Sequence, residues 1–303
     1  MSRDLPPVLR EKLLVHEQEA LGPRTTLGVG GPAPWVIEPR RREELLLAVK
    51  ELTAAEIPFR LLGHGSNLVV SDAGVPEVVI HTRSMKSIYH HGEQEHALRC
   101  EAGATLARLV STAHDMGFAG VEGLIGIPGT VGGAVAGNAG GRELSISEVL
   151  TEVTLVEPDG SARLVPCTPD DFGYRTSPFK GAVILDAVVQ LRPEPKASIF
   201  GRMRDILQSK AKSQPLSWPS AGCMFRNPEG ASSGQLIEAA GCKGLTLGGA
   251  QVSPKHANFI VNTGDARARD VQQLVERVQG AVREKSGAEL PLEVEWWGEF
   301  DTP

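Results

Sequence analysis

Hydrophobic positions along the chain change period repeatedly, and the changes predict alternating helices and strands. Residues 7–20 carry Val8, Leu13, Leu14 and Ala20 in a polar background, the spacing of a short amphipathic helix. Trp35-Val36-Ile37 reads as a strand, Glu43 to Ala55 as a helix ended by Pro58, and Phe59 to Leu62 as a second strand. Further strands are expected in LVVSDAG from Leu68, at Val75 to His81, and at 97–102. Leu106, Leu109, Val110 and Ala113 keep helical spacing between Thr105 and Met116. Residues 149–165 read as a hairpin around Pro158-Asp159-Gly160, and 182–191 as a long buried strand. Beyond Pro193 and Pro195, which mark a domain boundary, helices are expected at 197–212, 233–240 and 268–284, with strands at 256–262 and 292–297. The stretch 213–230 holds too much Pro, Ser and Gly for regular structure. The alternation predicts a mixed α/β fold.

Between Gly123 and Gly141 the periodicity stops. GLIGIPGTVGGAVAGNAGG has eight glycines in nineteen residues and no charge, with neither a helical nor a strand period. Without a Cβ, main-chain N–H groups can approach a ligand, and amides turned one way form an anion-binding concavity. A diphosphate or a flat ring could lie against such a surface. A membrane span of this length is disfavoured by the glycines, the proline and the asparagine. A purely structural glycine-rich connection is the remaining alternative.

The strand ending at Leu62 runs into GHGSN at 63–67. A dinucleotide-binding fingerprint fails here, because Leu68 stands where its third glycine belongs and β-type residues follow instead of a helix. No phosphate-binding G-x-x-x-x-G-K-[ST] occurs. What remains is a turn offering amides from Gly63, Gly65, Ser66 and Asn67, either to a ligand or as a plain tight turn.

The net charge of −6 provides no positive field for nucleic acid or an anionic membrane. Arg40, Arg41 and Arg42 read as a solvated helix face. Cys100, Cys167, Cys223 and Cys242 are far apart, with no zinc-ligand spacing, which points to a reducing compartment and no metal. The charged N-terminus lacks a secretory apolar core, so a cytoplasmic location is expected. His64, His90 and His91 read as loop or surface histidines.

Several motifs follow one another in a single order: GHGSN at 63–67, GIPGTVGGAVAGNAGG at 126–141, DFGYR at 171–175, SAGCMFRNP at 220–228, KHANFIVN at 255–262 and LEVEWWG at 292–298. In this order the chain resembles the UDP-N-acetylenolpyruvoylglucosamine reductase (MurB) family, over residues 25–298. The resemblance implies an α+β flavoenzyme whose two-lobed FAD-binding domain is of the vanillyl-alcohol-oxidase/PCMH type, with a smaller substrate-binding domain. The implied segments are lobe 1 at 1–82, lobe 2 at 83–195, the substrate domain at 196–290 and a C-terminal strand and tail at 291–303.

The same resemblance implies non-covalent FAD held by Gly63, His64, Gly65, Ser66, Asn67 and Leu68, and by Gly126, Ile127, Pro128, Gly129, Thr130, Gly132, Gly133, Ala134, Asn138, Ala139 and Gly140. Thr26 to Gly31 would add to that site. It further implies NADPH as co-substrate and UDP-N-acetylglucosamine enolpyruvate as the substrate, reduced to UDP-N-acetylmuramate for peptidoglycan by a monomer. Flavin N5 then gives hydride to the terminal methylene carbon, and negative charge builds on the neighbouring carbon and its carboxylate. Arg175 matches the family's catalytic arginine, whose planar, permanent charge suits a carboxylate becoming enolate-like. Glu293 matches a glutamate near the family's C-terminus that could donate to the same group.

Cys223 departs from the serine of the best-known form of the family. A thiol of reference pKa about 8.5 gives up a proton more readily than a hydroxyl, so Cys223 is expected to protonate the carbanion carbon. Tyr174, Lys212, Arg226 and Asn227 are the expected substrate contacts, with Lys210 as a further cation. With only Tyr89 and Tyr174 in the chain, no inserted tyrosine-bearing loop is present, which resembles the shorter branch of the family. The alternatives are an oxidase of the same superfamily and a non-catalytic FAD- or sugar-nucleotide-binding module.

Overall fold

The computed structural model describes residues 4–92, 94–141 and 143–300. Residues 1–3 and 301–303, at the outer ends of the expected first and last segments, lie outside the described residues. Contact density divides the chain into two units: residues through Glu17 with Trp35–His64 and Glu77–Ser209, and Gln18–Pro34 with Gly65–Pro76 and the residues from Lys210 onward.

Most of a four-stranded sheet lies in the first unit, in the order Leu14–Ala20, Pro32–Glu38, Val78–His81, Phe59–Leu62. Its last three strands are parallel, with Val36 opposite Val79 and Phe59 opposite Val78. A parallel strand covered on both faces needs an apolar run, which Val78-Val79-Ile80 supplies. The helix Arg42–Ala54 buries Leu45, Ala48, Val49 and Leu52 in the same core as Trp35, Ile37 and Ile80.

The first unit also holds a five-stranded antiparallel sheet in the order Ala162–Pro166, Leu150–Val156, Val183–Gln190, Ala97–Glu101, Ile88–His90. The helices Leu106–Met116 and Val131–Gly137 share a core with it through Leu98, Leu109, Val131, Val135, Val153 and Val189. Leu106–Met116 starts at Thr105, whose side chain accepts from Arg108 N–H, and stops at Gly117 with φ +72°. Buried Asp186 accepts from Arg99, from Thr154 Oγ1 at 2.7 Å and from Arg42 at 3.4 Å. Arg42 stays exposed, as expected of its basic run, while one nitrogen reaches this carboxylate, whose burial requires compensating donors.

The second unit has a four-stranded antiparallel sheet, ordered Ser220–Cys223, Phe259–Asn262, Ala250–Val252, Thr246–Leu247. The helix Ala268–Ser286 turns Val271, Leu274, Val275, Val278 and Val282 into a core shared with Val69, Phe225 and Ile260. Glu295–Trp297 pairs in parallel with Leu68–Val70. No helix among the described residues is long and apolar enough to cross a membrane.

Four local expectations are corrected. Residues 7–20 split into a helix, Pro7–Lys12, and a strand, Leu14–Ala20, because Leu14 onward joins the edge of the four-stranded sheet. The central glycine stretch contains a helix, Val131–Gly137. The region 213–230 contains the strand Ser220–Cys223, recruited by pairing with Phe259–Asn262. The hairpin Thr246–Leu247 and Ala250–Val252 is additional; its strands are too short for a period to show.

Candidate functional site

The glycine-rich segment is anchored at its start by Glu122. Its carboxylate accepts from Gly120 N–H at 2.7 Å and Arg202 Nε at 2.7 Å, while Arg202 also grips Glu194 at 2.6 and 2.9 Å. Burial pushes the Glu122 carboxyl up, but the Gly120 amide and the Arg202 guanidinium outweigh it and hold the group below its ordinary value. Gly126 (φ +72°) and Gly129 (φ +142°) then take left-handed backbone that a side chain would oppose.

Thr130 begins the helix Val131–Gly137, its hydroxyl accepting from Gly133 N–H at 3.3 Å. Asn138 ends it at φ +44°, and Ala139 N–H reaches back to Ala134 O at 2.8 Å, a Schellman closure. Val131, Ala134 and Val135 point into the core, so only main chain at Ala134 can face a ligand. The first-turn amides are spent inside the protein, Val131 N–H on Ala104 O at 2.8 Å and Gly132 N–H on Ala102 O at 2.9 Å. The expected anion cradle is therefore not the start of this helix. Among the described residues, the N–H groups of Gly126, Gly129 and Thr130 donate to no protein acceptor. Gly133 and Gly137 form an exposed strip, with nothing within 4 Å of a Cβ built on Gly137.

GHGSN divides between the units. Gly63 packs on Thr130 so closely that an added Cβ would lie 2.5 Å from its Oγ1, which joins the two expected cofactor loops within the first unit. The Gly63 carbonyl accepts from His81 Nε2 at 3.0 Å, and His81 Nδ1 lies 3.9 Å from the Glu38 carboxylate, which His16 approaches to 3.4 Å. The sequence marks His81 only as a histidine closing an otherwise apolar strand, and gives no sign of its bond to Gly63. His64 is exposed. In the second unit, Gly65 at φ +60° packs against Thr25, and Thr26 Oγ1 donates to Ser220 O at 2.7 Å. Asn67 accepts Glu295 N–H at 3.0 Å, and its amide donates to Glu293 O at 3.2 Å. Leu68 turns inward, buried at the start of its strand.

Arg175 sits in the first unit at the tip of a two-residue turn closed by Gly173 and Thr176, which exchange N–H···O bonds at 3.2 and 3.1 Å. Its φ of +55° fits the third position of a type II turn, an uncommon place for a side chain other than glycine or asparagine. The guanidinium lies 5.2 Å from the centre of the Tyr174 ring, and Tyr174 is 62 % exposed. Cys223 and Glu293 belong to the second unit. Cys223 ends its strand after Gly222 at φ +80°, opposite Phe259. Glu293 N–H donates to the carbonyl of the next residue, Met224, at 2.9 Å, so thiol-bearing and carboxyl-bearing backbones run side by side.

Burial drives the Cys100 thiol up to about 12 and Cys167 up to about 11, which keeps both protonated and inert at neutral pH. Cys223 is the half-buried one of the four. Of the expected substrate contacts, Lys212 is exposed in the last turn of Lys196–Ser213, and Arg226 Nε is buried with no protein acceptor among the described residues. Asn227 spends its carbonyl on Ser233 N–H at 3.0 Å, at the start of the helix Ser233–Ala239.

The first unit thus gathers Gly63, Thr130, the Gly133–Gly137 strip, Asn138 and the Arg175 turn. Asn138 Oδ1 is buried there without a protein donor among the described residues. An open strip without side chains, unspent amides and an orphaned carbonyl fit a flat group carrying polar edges.

The comparisons with known proteins agree with that chemistry. Residues 33–165 match the family described as FAD binding domain, and residues 214–297 match that described as UDP-N-acetylenolpyruvoylglucosamine reductase, C-terminal domain. The UDP-N-acetylenolpyruvoylglucosamine reductase of Moorella thermoacetica is 39% identical over 95% of each chain. The crystal structure of the Thermus caldophilus UDP-N-acetylenolpyruvylglucosamine reductase is similar at 40% identity and a TM-score of 0.80, covering 95% of this chain and 99% of that one. A solvent-stable cholesterol oxidase, 19% identical with a TM-score of 0.50, covers 63% of this chain and 40% of its own, a likeness of fold.

Proposed function

The chain belongs to the UDP-N-acetylenolpyruvoylglucosamine reductase family, and from that premise we propose that it reduces UDP-N-acetylglucosamine enolpyruvate to UDP-N-acetylmuramate with NADPH, as a cytoplasmic monomer. The FAD would be held by main chain around Gly63, Gly126, Gly129 and Thr130 and by the side-chain-free strip of Gly133 and Gly137. Bound FAD would relay a hydride from NADPH to the terminal carbon of the enolpyruvyl group.

The chain's own residues supply the rest. Arg175 binds the substrate carboxylate and stabilises the charge that grows there as the carbon–carbon double bond is lost. Cys223 gives its thiol proton to the adjacent carbon and recovers it from solvent, so the product gains one hydride and one proton. Glu293, on the backbone beside Cys223, donates from its carboxyl to the substrate carboxylate, while Tyr174, Lys212, Arg226 and Asn227 contact the substrate, the cations serving its diphosphate.

The observation that carries this reading is the side-by-side course of the Cys223 and Glu293 backbones, joined through Met224 and tied to Asn67 of GHGSN. A buried Arg226 Nε awaiting an acceptor supports an anionic ligand in the same unit. The test is whether purified protein carries flavin and consumes NADPH one-for-one with the enolpyruvyl sugar nucleotide. Cys223→Ser is expected to keep substantial turnover. Cys223→Ala is expected to allow flavin reduction by NADPH while blocking turnover; full turnover by the alanine variant removes the thiol from the mechanism.

A further inference from the structure

We propose that Asn138 is a positioning residue for Arg175, an assignment that rests on the reading of Arg175 as the carboxylate-binding group. Asn138 is only 5 % exposed, and its Nδ2 donates to the Gly173 carbonyl at 2.9 Å. That carbonyl also accepts Thr176 N–H, so it is one of the two posts of the turn that carries Arg175 at its tip. Gly173 has no side chain of its own to hold its peptide, and a Cβ there would lie 2.7 Å from Thr176 Oγ1. Gly173, Tyr174 and Thr176 are exposed, and rotation of the Gly173 peptide would swing the tip. The Asn138 amide fixes that peptide's direction. Its own main chain is fixed in turn by the closure of the glycine-rich helix, where Ala139 N–H reaches Ala134 O. The side chain is a short strut from the end of the expected flavin-binding helix to the turn holding the guanidinium.

The other end of the same amide is buried as well. Only the nitrogen can donate to Gly173 O, which fixes the amide's orientation and leaves Oδ1 buried without a protein donor among the described residues. Burying a carbonyl oxygen without a donor is unfavourable, and an N–H or O–H on a bound group relieves it. One amide thus holds the Arg175 turn with its nitrogen and meets the occupant of the glycine-rich surface with its oxygen. Filling the cofactor site and placing the guanidinium are linked through a single side chain.

Asn138→Gly tests this, because glycine keeps the left-handed backbone while removing the amide. Absorbance of the flavin follows two half-reactions: reduction by NADPH alone, and reoxidation by the enolpyruvyl sugar nucleotide. Reoxidation is expected to slow by about tenfold or more and to fall further than reduction, the scale of a small misplacement of a catalytic group. Binding of the sugar nucleotide to oxidised enzyme should weaken in Asn138→Gly but not further when Arg175→Ala is already present, since the strut then has no guanidinium to place. Asn138→Asp keeps an oxygen and loses the donor; it should hold FAD better than Asn138→Gly and reoxidise as slowly. Equal slowing of both half-reactions, additive binding losses in the double variant, or fast reoxidation by Asn138→Asp would each overturn the assignment. A wild-type protein whose reduced flavin is not reoxidised by the sugar nucleotide overturns the functional reading instead.

Discussion

Gly132 and Gly137 lie in one seven-residue helix and are glycine for opposite reasons. Gly132 faces inward, where a methyl would sit 2.8 Å from the Ala102 Cβ and 3.1 Å from its carbonyl oxygen. Gly137 faces outward, with nothing within 4 Å of the same methyl. One is glycine so that the helix can lie against the strand Ala97–Glu101 and the residues after it; the other leaves a surface bare for a ligand. A run of glycines therefore does not have a single meaning, and the side of the helix decides which meaning applies.

The largest expected effect breaks the inward member. Gly132→Ala should cost about 1–3 kcal/mol of stability, read as a fall in melting temperature, because the core must shift to admit a methyl. A cost near zero would mean that the helix does not lie where the contacts put it.

Next in size is Thr130, which caps the helix and touches Gly63. Thr130→Ala should cost about 1 kcal/mol through loss of the cap. It should also relieve Gly63→Ala, whose new methyl would meet Thr130 Oγ1, so the double variant should be more stable than the two single losses predict. Strict additivity would separate the two loops.

The outward member sharpens the contrast. Gly137→Ala should raise stability by about 0.5–1 kcal/mol, as alanine does in a helix, while weakening FAD retention on dilution. A variant that is more stable and binds FAD undiminished would leave the bare strip without a role.

The smallest effect concerns the anchor at the head of the segment. Glu122 titrates below its ordinary value in the folded protein, so its contribution to stability is present at neutral pH and lost as pH falls through that lowered pKa. Arg202→Met should flatten this acid limb of the stability profile; an unchanged limb would assign it to other carboxylates.

Much of the chain was legible because its local signals agree with its packing. Arg42–Ala54, Leu106–Met116 and Ala268–Ser286 carry apolar stripes at helical spacing, and Leu150–Val156 with Ala162–Pro166 flanks a Pro-Asp-Gly turn. The helix Val131–Gly137 was hidden although its ends were visible: Thr130 is a good cap and Asn138 a good left-handed terminator, but the stripe Val131, Ala134, Val135 spans only one turn and is broken up by three glycines. His81 and Glu38 were silent because burial, which gives them their role behind Gly63, leaves no trace in spacing.

The sequence by itself determined the family and the flavin-binding class, because those reside in residue types held in a fixed order. Only the tertiary structure decided which amides remain available and which are consumed by neighbours, since hydrogen-bond accounting depends on residues distant along the chain. It also decided that Gln18–Pro34 and Gly65–Pro76 pack with the C-terminal third, and that a buried amide at Asn138 donates to the Gly173 carbonyl in the turn at Arg175. Such groupings arise from pairings across many residues, and the local period of a chain carries no record of them.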